Sequence, residues 1–154
     1  MQKPPGTGSQ TNRASRRGAV GVIVHESRLL TIRRSAIVRA PGKVCFPGGE
    51  IESGEASHQT VIREVAEELG LRVTPIRQLW TCTTSWNVHL TWWQCRAADI
   101  ASISPNADEV SEYFWVTLQE LADFPDLLES NREFLAALSR GEVRLTGIEV
   151  TSES

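Results

Sequence analysis

The sequence is poor in the features that mark several large classes of protein. It has no uninterrupted apolar stretch near the ~20 residues that a membrane-spanning helix needs, and it contains one Tyr, one Met and three cysteines. Cys45, Cys82 and Cys95 are odd in number, lack CxxC spacing and stand in apolar stretches. That pattern argues against a disulfide framework and a zinc site, and makes reduced, buried thiols in a cytoplasmic protein the expectation. An excess of basic charge is also missing, since 16 Lys and Arg stand against 19 Asp and Glu. Neither nucleic acid nor a membrane surface is therefore an expected partner. There is no internal repeat.

At 154 residues the chain can build one real core, and a single domain is expected. Lys3, Arg13, Arg16 and Arg17 give residues 1–17 a charge of +4, leaving 12 basic against 19 acidic residues, or −7, for the remainder. This first segment has almost nothing apolar and reads as a disordered basic tail. The domain is expected over 18–146, with a flexible polar end at 147–154.

Two aliphatic runs separated by His25, Glu26 and Ser27 predict a hairpin with strands near 19–25 and 28–34. A short apolar run, Val44 to Phe46, follows, and Pro47, Gly48 and Gly49 are expected to interrupt regular structure. Helical spacing of Val61, Ile62, Val65, Ala66 and Leu69 predicts a helix from Glu55 to Leu69, with Ser53 or Ser57 near its start and Gly70 as its stop. Arg72 to Thr84 and Val88 to Ala97 read as paired strands, and Glu112 to Val116 as another. Thr117 and Glu120 have capping-box spacing for a helix, and a last helix is expected from Asp126 to Arg140. Strands around a central helix, with helices at the end, imply an α/β (α+β) fold on a mixed sheet.

The segment from Gly49 to Leu71 carries the chemistry. On a helical wheel Glu64, Glu67 and Glu68 span roughly 100° of one stripe, while Ile62, Val65, Ala66 and Leu69 lie on an adjoining face suited to pack on the sheet. Three carboxylates this close repel unless a cation neutralises them. Oxygen-only donors favour Mg2+ or Mn2+, which characteristically bridge carboxylates to substrate phosphates. Arg63 can pair with one glutamate, and the Gly48-Gly49 pair lets a backbone carbonyl approach the cluster.

Gly49, Glu55, Arg63, Glu64, Val65, Glu67, Glu68, Gly70 and Leu71 fill every defined position of the Nudix box at the required spacing. The chain thus resembles the Nudix (MutT-like) hydrolases. The resemblance implies an α/β/α sandwich with a central mixed sheet, and Mg2+- or Mn2+-dependent hydrolysis of a nucleoside diphosphate linked to another group X. It also implies that Glu64, Glu67 and Glu68 are metal ligands with the Gly49 carbonyl, that Arg63 orients a glutamate, and that Glu55 supports the loop and helix. A further glutamate from a later loop is expected as ligand or base. Glu109 is the first choice and Glu112 the second, and the proton of the attacking water would pass to Glu67 or Glu109.

Leu29 to Arg33, Gly42 and Phe46 to Gly49 partly resemble the upstream motif of coenzyme A pyrophosphatases, with the second arginine one position late at Arg39 and Arg34 in place of a small residue. Arg33, Arg34, Arg39 and Lys43 form a basic strand and loop suited to anionic oxygens. Arg33, Arg39, Phe46 and Trp86 are taken as substrate contacts, Trp86 as a platform for a base. A homodimer is left open. Two other classes compete: a noncatalytic nucleotide-sensing module of the same fold, and an interaction module whose acidic helix binds a basic partner.

Overall fold

A computed structural model describes residues 16–150, so most of the expected basic tail and the last four residues lie outside the described residues. Strands β1 (Arg17–His25) and β2 (Arg28–Arg34) form the expected hairpin. Its turn residues, Glu26 and Ser27, both have positive φ, at 50° and 62°, the conformation that matches a two-residue turn to strand twist. β3 (Val44–Cys45) and β4 (Gly48–Glu50) follow, then helix α1 (Ser57–Leu69). A second hairpin, β5 (Val73–Thr83) and β6 (His89–Ala97), leads through a short 3-10 turn to β7 (Val110–Val116). Two helices, α2 (Leu118–Asp123) and α3 (Glu129–Ser139), close the domain.

The sheet runs β3-β2-β1-β6-β5, with β4 beside β1 and β7 beside β2. β1 and β6 are parallel and the other pairs antiparallel, which makes the sheet mixed. Each face of the sheet carries its own apolar layer. Val61, Val65 and Leu69 of α1 pack with Ala19, Ile23, Leu30 and Ile32 on one side. Phe134, Ala137 and Leu138 of α3 pack with Val22, Leu29 and Trp92 on the other, where Trp92 stacks on Phe134 at 4.5 Å. The α/β/α sandwich is the observed fold. As strand alternation requires, Trp92 and Trp93 face opposite layers, and Trp93 donates to Ser57 Oγ.

Five details differ from the sequence expectations. Gly48 to Glu50 is a strand, because glycine lets this backbone lie flush against β1, where Gly48 pairs with Val20 and Gly49 with Ala19. The buried face of α1 is rotated: Val61 and Glu68 are buried, whereas Ile62 and Ala66 are exposed. β7 begins at Val110, since Arg34 pairs there across a bulge. α3 starts only at Glu129, because Asp126 and Leu128 hydrogen-bond to Val44 as a short bridge. Finally, Arg17 belongs to β1, and Ile148 and Val150 pack against the α3 layer. Cys45, Cys82 and Cys95 are all unpaired. No helix among the described residues is long and apolar enough to cross a membrane.

Candidate active site

The end of α1 and the β4 strand meet at a group of carboxylates. α1 has no side-chain N-cap: Ala56 holds that position, and Gln59 Oε1 accepts its N–H at 2.8 Å. Glu55 is thereby left outside the helix, facing Thr60 and Arg63. Gly70 ends the helix at φ 61°, its N–H donating to the Ala66 carbonyl. The loop leading to β7 hangs on this end, with Ser104 N–H donating to the Leu69 carbonyl and Asn106 N–H to that of Glu68. The same loop brings Glu109 to the cluster, and one oxygen of Glu109, Oε2, is buried without a partner.

Arg63 is the hub. Its guanidinium donates to both oxygens of Glu55 at 2.8 and 3.0 Å, to Glu64 at 2.9 Å, to Glu67 at 3.3 Å and to the Glu50 carbonyl at 2.9 Å. Glu68 lies deeper, 6% exposed, where its Oε1 accepts the Gly48 N–H at 3.1 Å. Gly49 is in contact with Glu64, so that a Cβ there would fall 1.8 Å from Glu64 Oε1. Burial, with Glu67 and Glu109 close by, pushes Glu64 up to about 7. Burial and the neighbouring Glu64 hold Glu68 well above the usual carboxylate range, with Arg34 opposing that rise. Hydrogen bonds from Arg63 and Thr60 bring Glu55 down to about 2.

These shifts fix the sign of a pH dependence. A carboxyl raised by folding binds its proton more tightly in the native state, so stability falls as pH rises from about 4.5 through about 7 for Glu64. A lowered carboxyl does the reverse: the contribution of Glu55 is present above about 4.5 and lost as pH falls toward 2. Metal-free protein is expected to unfold at its highest temperature near pH ~5 and to weaken on both sides. Thermal unfolding in EDTA across the acid-to-neutral range measures this, and stability that rises steadily from pH ~5 to ~8 would contradict it.

The donor set can be tested for a metal. Glu64, Glu68 and Glu109 are carboxylates with few cationic partners, one oxygen of Glu109 has none, and every candidate donor is oxygen. That suits a hard divalent cation. Among the described residues no three such side chains already close around a point. Glu67, turned toward Arg63 and 47% exposed, is the open member.

Other sequence candidates lie elsewhere. Arg33 points to the opposite layer, bound to Asp126, to Glu112 at 3.1 Å and to the Gly42 carbonyl at 2.7 Å, with the Phe114 and Phe124 rings 5.9 Å away. Glu112 is thus committed to Arg33 and not to the cluster. Phe46 is 3% exposed between Trp92 and Phe134, a core position. Arg39 is exposed on the loop, its carbonyl accepting Arg34 Nε at 2.5 Å. Trp86 is 80% exposed at the tip of the β5-β6 hairpin.

Of the basic strand and loop read from the sequence, Arg34 is the member that acts on the buried Glu68. Leu30 and Ile32 belong to the α1 layer, so period-two alternation turns Arg34 toward that layer as well, near Glu68 and Cys45. A concavity of about 380 Å3, lined by Leu138, Val143, Leu145 and Ile148, lies on the α3 side, apart from this chemistry.

Comparison with known proteins identifies the family. The NUDIX domain profile matches residues 15–138. A 54-residue segment, 34% of the chain, is 46% identical to 8-oxo-dGTP diphosphatase of Escherichia coli (strain K12), covering 42% of that protein. A 94-residue segment, 58% of the chain, is 33% identical to a peroxisomal coenzyme A diphosphatase of Mus musculus, covering 40% of it. The chain therefore spans less than half the length of these relatives. In structure it superposes on a MutT protein from Methanosarcina mazei Go1 with a TM-score of 0.68 at 23% identity, over 84% of this chain and 96% of that one. The profile match covers most of the chain, the box residues sit at the cluster, and the fold agrees: the chain belongs to the Nudix family.

Proposed function

We propose that the protein is a Mg2+- or Mn2+-dependent hydrolase of the pyrophosphate linkage in nucleoside diphosphates carrying a further group X. The observation that carries this reading is the carboxylate group beside the Gly48-Gly49 backbone: Glu68 buried, Glu64 and Glu109 half-buried, and one buried oxygen of Glu109 without a partner. Glu64, Glu67, Glu68, Glu109 and the Gly49 carbonyl would hold the cation. When bound, such a cation neutralises diphosphate charge and makes water a better nucleophile.

The remaining work falls to side chains of the chain itself. Attack of the water oxygen forms a new P–O bond while the bond to the bridging oxygen breaks, and the departing phosphate takes the electron pair. Glu67 or Glu109 accepts the proton of that water. Arg63 keeps Glu64 and Glu67 in place and Glu55 fixes Arg63 in turn, so that the reaction proceeds chiefly by positioning and charge stabilisation. Arg34, beside Glu68, supplies positive charge for nonbridging oxygens, and the exposed Trp86 offers an open aromatic face to a base. The unpaired thiols support a reducing compartment, the cytoplasm.

The relatives suggest where to look first, since one is named for 8-oxo-dGTP and one for coenzyme A. A panel of nucleoside triphosphates, 8-oxo-dGTP, ADP-ribose, dinucleotides, coenzyme A and nucleotide sugars, each with Mg2+ and with Mn2+, tests the proposal. Metal-dependent cleavage of at least one compound, abolished by EDTA, is expected. Binding of nucleotides without cleavage of any would favour the noncatalytic sensing module instead.

A further inference from the structure

The segment that supplies Gly48 and Gly49 is fixed from the far side of the sheet. Phe46 N–H donates to Asn131 Oδ1 on α3 at 2.8 Å, and this contact is buried, with Asn131 2% exposed. One residue on, the Pro47 carbonyl accepts Gly21 N–H at 2.8 Å. One further, Gly48 N–H donates to Glu68 Oε1 at 3.1 Å. Then comes Gly49, against Glu64. Four successive residues thus carry a chain of contacts from α3, through β1, to two glutamates of the cluster. The start of α3 is itself tied to the preceding strand, as Leu128 N–H donates to the Val44 carbonyl and Asn131 N–H to the Leu128 carbonyl.

We infer that Asn131 is a positioning residue for the metal site: its amide oxygen sets the Phe46–Gly49 peptide so that the Gly48 N–H meets Glu68 and Gly49 lies against Glu64. The inference rests on the proposed metal-dependent activity. Asn131 reaches the glutamates through the backbone of Phe46 to Gly48. A buried amide oxygen accepting a buried N–H has no water to replace it, so its loss lets the peptide seek another partner. Ligand supports of this kind typically carry about 10- to 100-fold of metal affinity when lost.

The test is Mn2+ binding, read from the free-ion EPR signal, in wild type and in the Asn131→Ala, Asn131→Leu and Asn131→Asp variants. Leu fills the volume without an acceptor, so it serves if the Ala variant does not fold. Asp keeps the acceptor. Mn2+ affinity about 10-fold or more weaker in the Ala or Leu variant, restored by Asp, is the expected result. A Phe134→Leu control, which loosens the same helix in the core, should lower thermal stability and leave Mn2+ affinity per folded molecule unchanged. Wild-type affinity in the Leu variant, or no recovery in the Asp variant, would overturn the inference while leaving the metal site intact. Absence of Mn2+ binding by the wild type would instead defeat the functional reading beneath it.

Discussion

Glu68→Gln is expected to fold at least as well as the natural chain at neutral pH in EDTA and to lose turnover by about a thousandfold or more, a loss of ~4 kcal/mol of charge stabilisation. The two halves of this result come from one feature. Glu68 is 6% exposed, and burial together with Glu64 and Glu109 disfavours its charge. Without a cation the folded protein must either keep a proton on it or bury a charge, and both cost stability near neutrality. Glutamine removes that cost and still presents an oxygen to the Gly48 N–H. It cannot supply the negative charge that binds a metal. Thermal unfolding in EDTA and initial rates with Mg2+ on a substrate the wild type cleaves give both halves. A Glu68→Gln protein that turns over normally would remove this residue from the reaction.

The second large effect separates two adjacent glycines. A Cβ on Gly48 would lie 2.3 Å from the Ala19 carbonyl oxygen and 2.9 Å from the Val20 Cα, both backbone atoms of β1 held in the sheet. Neither can move without breaking the pairing, so Gly48→Ala should lose about 4 kcal/mol or more, a large share of a typical domain's ~5–15 kcal/mol. The three atoms nearest a Cβ on Gly49 would all belong to the Glu64 side chain, its oxygen at 1.8 Å. That side chain can swing away. Gly49→Ala should therefore fold with a loss of no more than about 2 kcal/mol, yet lose ~100-fold or more in turnover because one ligand is displaced. Urea unfolding and initial rates on both variants distinguish the effects. Equal destabilisation by the two substitutions would show that the Gly49 contact is structural.

Much of this site is legible in the sequence because its information is local. Glu55, Arg63, Glu64, Glu67 and Glu68 lie within 14 residues, and helical geometry brings Arg63 to Glu64 and Glu67 as their spacing requires. What spacing cannot supply is the rotation of the helix on the sheet. The wheel alone put Ile62 and Ala66 against the sheet; the structure instead buries Val61 and Glu68, because the β4 glycines admit the Glu68 carboxylate to the Gly48 N–H. Glu109 was readable from its distance to the following strand, but its burial depends on Asn106 docking on the end of α1. Arg33 and Arg34 are indistinguishable by composition. Only the layer assignment of Leu30 and Ile32 shows that Arg34 faces α1, while Arg33 is taken up by Asp126 and Glu112. Asn131 carries no sequence signal, since its partner is a backbone N–H 85 residues away.

The most direct test of the carboxylate cluster as a metal site is a Mn2+ titration at pH ~7.5, with free Mn2+ read by EPR in wild type, Glu68→Gln and Glu112→Gln. Wild type and Glu112→Gln should remove Mn2+ from solution with the same affinity, and Glu68→Gln should bind about 100-fold more weakly or not at all. Wild-type protein that leaves all the Mn2+ free, or Glu68→Gln that binds it as tightly as wild type, would contradict the account.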